Sequence, residues 1–206
     1  MNPGVLIAFE GIDGTGKSTQ LPMLAAYLRG EGYAVVETRE PTDGPYGRQI
    51  RALYSNRSQV TPAQELELFL LDRRQHVEQC VNPALRQGMI VLTDRYYFST
   101  AAYQGAAGCD PAAIFACHDF APEPDMVALL VQTPAESVAR IQNLRGETLN
   151  DFEQQEQLEK VAALFASFSH DCIVRIQAAR PVAEVQASIR AAVRQLLAKK
   201  GVRCSG

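Results

Sequence analysis

Gly11, Gly16, Lys17 and Ser18 stand at the spacing G-x-x-x-x-G-K-[ST], directly after the apolar run VLIAFE (5–10) and at the start of a segment with helical periodicity. Each residue type has its own chemical reason to be there. The glycines let the backbone turn sharply and present a row of N–H donors to phosphate oxygens. A helix over 17–29 adds the positive end of its dipole. The Lys17 ammonium is spaced to reach the β and γ phosphates of a nucleoside triphosphate, and the Ser18 hydroxyl to ligate Mg²⁺. The expected ATP-contacting run is Gly11, Ile12, Asp13, Gly14, Thr15, Gly16, Lys17, Ser18 and Thr19. No N-K-x-D stretch accompanies it, which argues against a GTPase. The motif alone does not separate kinases from ATPases.

Further residues have the chemistry of a metal site and of an acceptor. Asp94 closes the apolar run MIVLTD, where a carboxylate at a strand's carboxyl end can hold the metal through water or cap the following helix. Arg95 comes next, at the same strand end, where a guanidinium would sit between donor and acceptor phosphates. Arg39 follows the second apolar run; it can fork onto a phosphate or pair with a neighbour such as Glu40. Phe69 and Arg73 are four apart and share a helix face. A phenyl ring there can stack on a base while the guanidinium donates to a pyrimidine carbonyl. By spacing alone, Leu66, Phe69, Arg73 and Val77 read equally as the stripe of a half-buried helix.

These residues need a scaffold, and the apolar pattern supplies one. Five runs, 5–10, 33–38, 89–94, 126–132 and 172–177, are almost continuously apolar, as parallel strands covered on both faces should be. Helical segments are expected at 17–29, 46–55, 62–87, 97–106, 134–143, 151–169 and 182–199. Pro62 and Pro134, each after a threonine, mark two helix starts. The alternation predicts an α/β fold: a doubly wound five-stranded parallel sheet flanked by helices, with ligands beyond the carboxyl ends of the strands. The 206 residues fit one domain, 1–206. A net charge of −3 gives no sign of a nucleic-acid or membrane surface. Five cysteines without C-x-x-C spacing, and no signal segment or long apolar run, are expected of a cytoplasmic protein.

Three more stretches, TREP (38–41), LFLLDRRQHV (68–77) and TDRYYFSTAAYQG (93–105), combine with FEGIDGTGKST. In order and interval they closely resemble the thymidylate kinases, P-loop kinases that phosphorylate dTMP with ATP. The resemblance is close over roughly 5–105 and looser beyond. It implies that Arg39 and Arg95 hold the acceptor phosphate, and that Phe69 and Arg73 hold thymine. It places Ser99, Tyr103 and Gln104 near the acceptor, the last two by the sugar and base, and Asp13 near the bound monophosphate. It further implies ATP as donor, Mg²⁺ and a homodimer.

The segment 139–161 corresponds to a mobile lid. Relatives often carry a DRFE-like run there, whereas this chain reads LNDFE, with Asn150 and Asp151 in place of the usual Asp and Arg. The variable P-loop positions carry no base, so the lid must supply the catalytic arginine. Arg145 is the expected one, beside Lys17 and Arg95; Arg140 is either an alternative or a helix-surface residue. The expected reaction is transfer of the ATP γ-phosphate to dTMP, giving dTDP for dTTP biosynthesis. Two other readings are a kinase of another nucleoside monophosphate and a non-catalytic nucleotide-binding protein with a degenerate lid.

Overall fold

The computed structural model describes residues 4–55, 60–145 and 154–204, the side chains of 55 and 143–145 excepted. Five strands, β1 (Val5–Glu10), β2 (Val35–Arg39), β3 (Ile90–Asp94), β4 (Met126–Val131) and β5 (Ile173–Gln177), form one sheet in the order β2-β3-β1-β4-β5. All four pairings are parallel. The helices are α1 (Lys17–Gly30), α2 (Pro45–Ala52), α3 (Pro62–His76), α4 (Asn82–Arg86), α5 (Tyr97–Ala106), α6 (Pro111–Ala116), α7 (Pro134–Arg145), α8 (Gln155–Ser167) and α9 (Val182–Lys200).

The central strand shows why the fold is doubly wound. Alternate side chains of a strand point to opposite faces. Val5, Ile7 and Phe9 pack with Leu21, Leu24 and Leu28 of α1 and with Ile189 and Val193 of α9. Leu6 and Ala8 pack on the other side with Phe98 and Ala101 of α5 and Leu158 of α8. Glu10 continues the second series and so faces α5. Among the described residues no helix is long and apolar enough to cross a membrane.

Several boundaries depart from the sequence pattern, each for a local reason. The second strand begins at Val35, because the Tyr33 N–H donates to Leu28 O (3.0 Å) and keeps that residue in the wrap closing α1. The long helix expected over 62–87 runs without a gap but loosens into a π turn at Val77–Val81, where the Asn82 N–H reaches back to Val77 O. Pro83 has no N–H to give to the carbonyl four residues earlier, and the wider turn absorbs that defect. The 46–55 helix ends at Ala52 and continues as a 3-10 turn. Helix α6 was not expected, although Asp110 accepting from the Ala112 N–H (3.0 Å) and Pro111 at the first position are readable start signals.

The start of α3 is held by a reciprocal cap: the Gln64 N–H donates to Thr61 Oγ1 (3.3 Å) and the Thr61 N–H to Gln64 Oε1 (2.9 Å). Replacing Thr61 by Ala should cost about 1 kcal/mol. Thermal unfolding should then show Tm lowered by about 2–4 °C for a chain of this size.

Candidate active site

The loop between β1 and α1 takes its shape from glycine. Gly11 has φ 131°, and a Cβ there would meet Leu130 O at 2.4 Å. Gly14, at φ 80°, would drive a Cβ to 2.6 Å from Ser137 O of α7. Side chains are therefore excluded where the loop presses on β4 and α7. The Lys17 ammonium donates to Gly11 O (2.8 Å) and Ile12 O (2.9 Å), closing the loop on itself. Burial, and then the charge of Arg95, push the Lys17 pKa down to about 8. Thr15 Oγ1 also donates to Ile12 O (2.9 Å). Ser18 and Thr19 lie exposed in the first turn of α1, which carries no acidic residue to compete for an anion.

The neighbouring strand end brings up the next group. β1 and β3 pair with Phe9 opposite Asp94, and the Arg95 N–H donates to Phe9 O (2.9 Å). Arg95 has φ 73°, an uncommon conformation for a side-chain-bearing residue. Its guanidinium donates to Asp13 Oδ1 (2.6 Å) and to Ser99 Oγ (3.0 Å), and it lies over the Tyr103 ring. Tyr103 donates to Asp13 Oδ2 (2.7 Å). Burial opposes the Asp13 charge, but Arg95 and Lys17 outweigh it and hold the pKa below the ordinary value. Asp94 Oδ1 is buried and has no hydrogen-bond partner among the described residues. An orphaned carboxylate oxygen in the same cleft as the exposed Ser18 hydroxyl is an oxygen donor set of the kind that suits Mg²⁺.

Glu10 was not anticipated as a site residue. Its Oε1 accepts from the Tyr96 N–H (2.8 Å) and the Ser99 N–H (3.1 Å), and Oε2 accepts from Ser99 Oγ (2.5 Å). Helix α5 has no cap from its own Tyr96, so Glu10 serves as its cap from another element. Because Ser99 spends its proton on Glu10, its lone pairs face Arg95.

Phe69, Arg73, Ser99, Tyr103 and Gln104 share one cleft with the loop, of about 1060 Å³. Arg73 is 1% exposed. It donates to Glu40 Oε2 from Nε (2.8 Å) and Nη2 (2.5 Å), and from Nη1 to Thr100 Oγ1 (3.1 Å). Glu40 thus pairs inward with Arg73 and His76, while Arg39, 63% exposed in its side chain, pairs with Asp43 (2.7 Å) at the cleft mouth. Gln104 is fully buried, and both ends of its amide lack partners among the described residues. Arg140, which the sequence left between lid and surface, donates to Gly14 O (3.1 Å) and Ala178 O (3.3 Å) on the loop side of the cleft. The side chain of Arg145 and the LNDFE run through 153 lie outside the described residues.

A triphosphate loop that shares its cleft with an aromatic ring and with the buried polar side chains of Arg73 and Gln104 suits transfer between two nucleotides: this is a P-loop nucleoside monophosphate kinase. A family model described as thymidylate kinase matches residues 9–189. A thymidylate kinase of Desulfotalea psychrophila is 55% identical over 95% of this chain and 97% of its own. One from Xanthomonas campestris pv. campestris (strain B100) is 47% identical over 80% and 71%, and one from Xylella fastidiosa (strain M12) is 43% identical over 79% and 74%. The chain belongs to the thymidylate kinase family.

The depressed Lys17 gives a testable linkage. Phosphate oxygens arriving at the loop favour the charged ammonium and raise its pKa from about 8. Binding of a nucleoside triphosphate at or above that pH should therefore take up protons, and well below it should not. Calorimetry in buffers of different ionisation enthalpy measures the uptake, which Lys17→Met should abolish.

Proposed function

We propose that the protein transfers the γ-phosphate of ATP to dTMP, giving dTDP on the route to dTTP, as a single domain (1–206) with a lid over 139–161. The observation that carries the choice of acceptor is the buried, unpartnered amide of Gln104 in the same cleft as Arg73. An amide can turn to suit either a thymine or a cytosine edge. Arg73 cannot: it has no acceptor, so it favours a base carbonyl and opposes the exocyclic amino group of cytosine. Phe69 supplies a ring for stacking. Rejection of dCMP should be strong, because it would leave buried polar groups unpaired. The 5-methyl of dTMP is worth only about 10- to 200-fold over dUMP.

On this reading Gly11 to Thr19 cradle the donor phosphates, and Arg39 at the mouth with Arg95 inside grips the acceptor phosphate. Tyr103 crowds the place a ribose 2′-OH would need, and Asp13 lies near the bound monophosphate. Arg95 exchanges its Asp13 contact for phosphate oxygens and, with Lys17, neutralises the charge that builds in transfer. No protein base is required, since a phosphomonoester with a second pKa of about 6 is already anionic near neutrality. Ser18 and Asp94 would hold Mg²⁺, which would offset the negative charge of the phosphates. Arg140 supports the donor side from α7, and Arg145 is the proposed arginine of the lid. A homodimer in the cytoplasm completes the proposal.

A coupled ADP-release assay over dTMP, dUMP, dCMP, dGMP, UMP and CMP tests the reading. It expects dTMP first, dUMP second and dCMP near background; preference for any other monophosphate overturns the acceptor assignment. Arg95→Ala should lower turnover by about 10³-fold or more while ATP still binds. Asp94→Asn should raise the Mg²⁺ concentration needed for half-maximal rate, and an unchanged requirement would remove Asp94 from the metal site.

A further inference from the structure

His118 belongs to no motif and sits in the turn after α6, yet it is 3% exposed and touches Arg73. Its ring packs near Tyr97, with centroids 5.6 Å apart. Nδ1 lies 2.7 Å from Ile114 O, and a carbonyl only accepts, so Nδ1 carries the proton. Nε2 lies 2.5 Å from Arg73 Nη1, and a guanidinium only donates, so Nε2 offers its lone pair. The two contacts independently require the same neutral Nδ1–H tautomer. Protonating Nε2 would set two donors against each other; burial and the Arg73 charge push the pKa down to about 4.

A neutral imidazole does not balance the charge of Arg73, which Glu40 already does. What it adds is direction. Glu40 takes Nε and one N–H of Nη2, while Thr100 and His118 take the two N–H groups of Nη1. One Nη2 N–H is left without a partner among the described residues. We propose that His118 is a specificity-determining positioning residue: its Nε2 lone pair fixes the guanidinium of Arg73 so that the remaining N–H meets the acceptor base's carbonyl. This inference rests on the reading that Arg73 recognises the base.

The tautomer is checked first on the unaltered protein, by ¹⁵N NMR of the histidine rings at neutral pH. A protonated Nδ1 and an unprotonated Nε2 are expected for His118; the opposite tautomer or an imidazolium overturns the proposal. Kinetics then separate positioning from packing. His118→Phe keeps a ring and removes both polar contacts. It should raise KM for dTMP about tenfold, leave KM for ATP unchanged, and narrow the kcat/KM preference for dTMP over dCMP. His118→Gln retains an acceptor and a donor and should recover most of the loss. Unchanged selectivity in His118→Phe, or no recovery in His118→Gln, overturns the assignment. If His118→Phe does not fold, the His118→Gln ratios and the tautomer decide. Arg73→Lys distinguishes the two levels: if it keeps the wild-type preference, the base reading fails. If it loses the preference while His118→Phe keeps it, only the role of His118 fails.

Discussion

The pairing of β1 with β3 is the constraint on which the site depends. Val5 stands opposite Ile90 and the register runs without interruption to Phe9 opposite Asp94. Both strands therefore end at one level, with the phosphate loop leaving one and Asp94-Arg95 leaving the other. A slip of one residue would turn Asp94 to the opposite face and dislodge Arg95, whose N–H is tied to Phe9 O. The same alternation sends Glu10 toward α5, where its carboxylate holds the helix start. One strand thus positions the loop, the metal-suited carboxylate and the helix that forms the cleft wall.

The charges at this junction are already balanced among themselves. Asp13 bridges Arg95 and Tyr103, and Lys17 rests on the carbonyls of its own loop. Charges this buried are costly unless paired. On the proposed function, phosphate binding would be an exchange: Arg95 and Lys17 would give up protein acceptors for ligand oxygens, and little side-chain order would have to be created. Burial raises the Glu10 pKa to about 7, against the opposing pull of the Ser99 hydrogen bond and the Arg95 charge.

What the sequence made legible was local. The loop motif, Asp94 and Arg95 follow from spacing after apolar strands, and the doubly wound sheet follows from strand–helix alternation. Contacts between distant residues were not legible. Glu40 with Arg73, His118 with Arg73, and Gln132 donating to Gly14 O (3.1 Å) join positions 33, 45 and 118 apart. Arg140 was ambiguous because α7 periodicity alone does not say what its exposed edge meets; the fold brings its guanidinium to Gly14 O and Ala178 O. The start of β2 was misjudged because Tyr33 and Ala34 look like strand residues, while the closing hydrogen bonds of α1 claim Tyr33. Aspartate then proline at 110 and 111 did announce α6, a signal weaker than an apolar run and easily passed over.

Arg73 explains why a costly buried ion pair is kept in the cleft wall. An apolar side chain would be cheaper to bury but could not be aimed. Beside His118, Thr100 of α5 accepts from Arg73, and every residue of that helix from Tyr97 to Gln104 is buried. Ser99 and Tyr103, four apart, serve Arg95 and Asp13. Thr100 and Gln104, also four apart and turned about 100° further round the helix, face Arg73 and the pocket beside it. The two stripes are rigidly offset because they share one backbone. On the proposed function, a ligand with its phosphate at Arg95 and its base at Arg73 would have to span that offset, so the helix would set the nucleotide length the cleft accepts. Glu10 fixes where the helix begins, and an error there would misplace both stripes together.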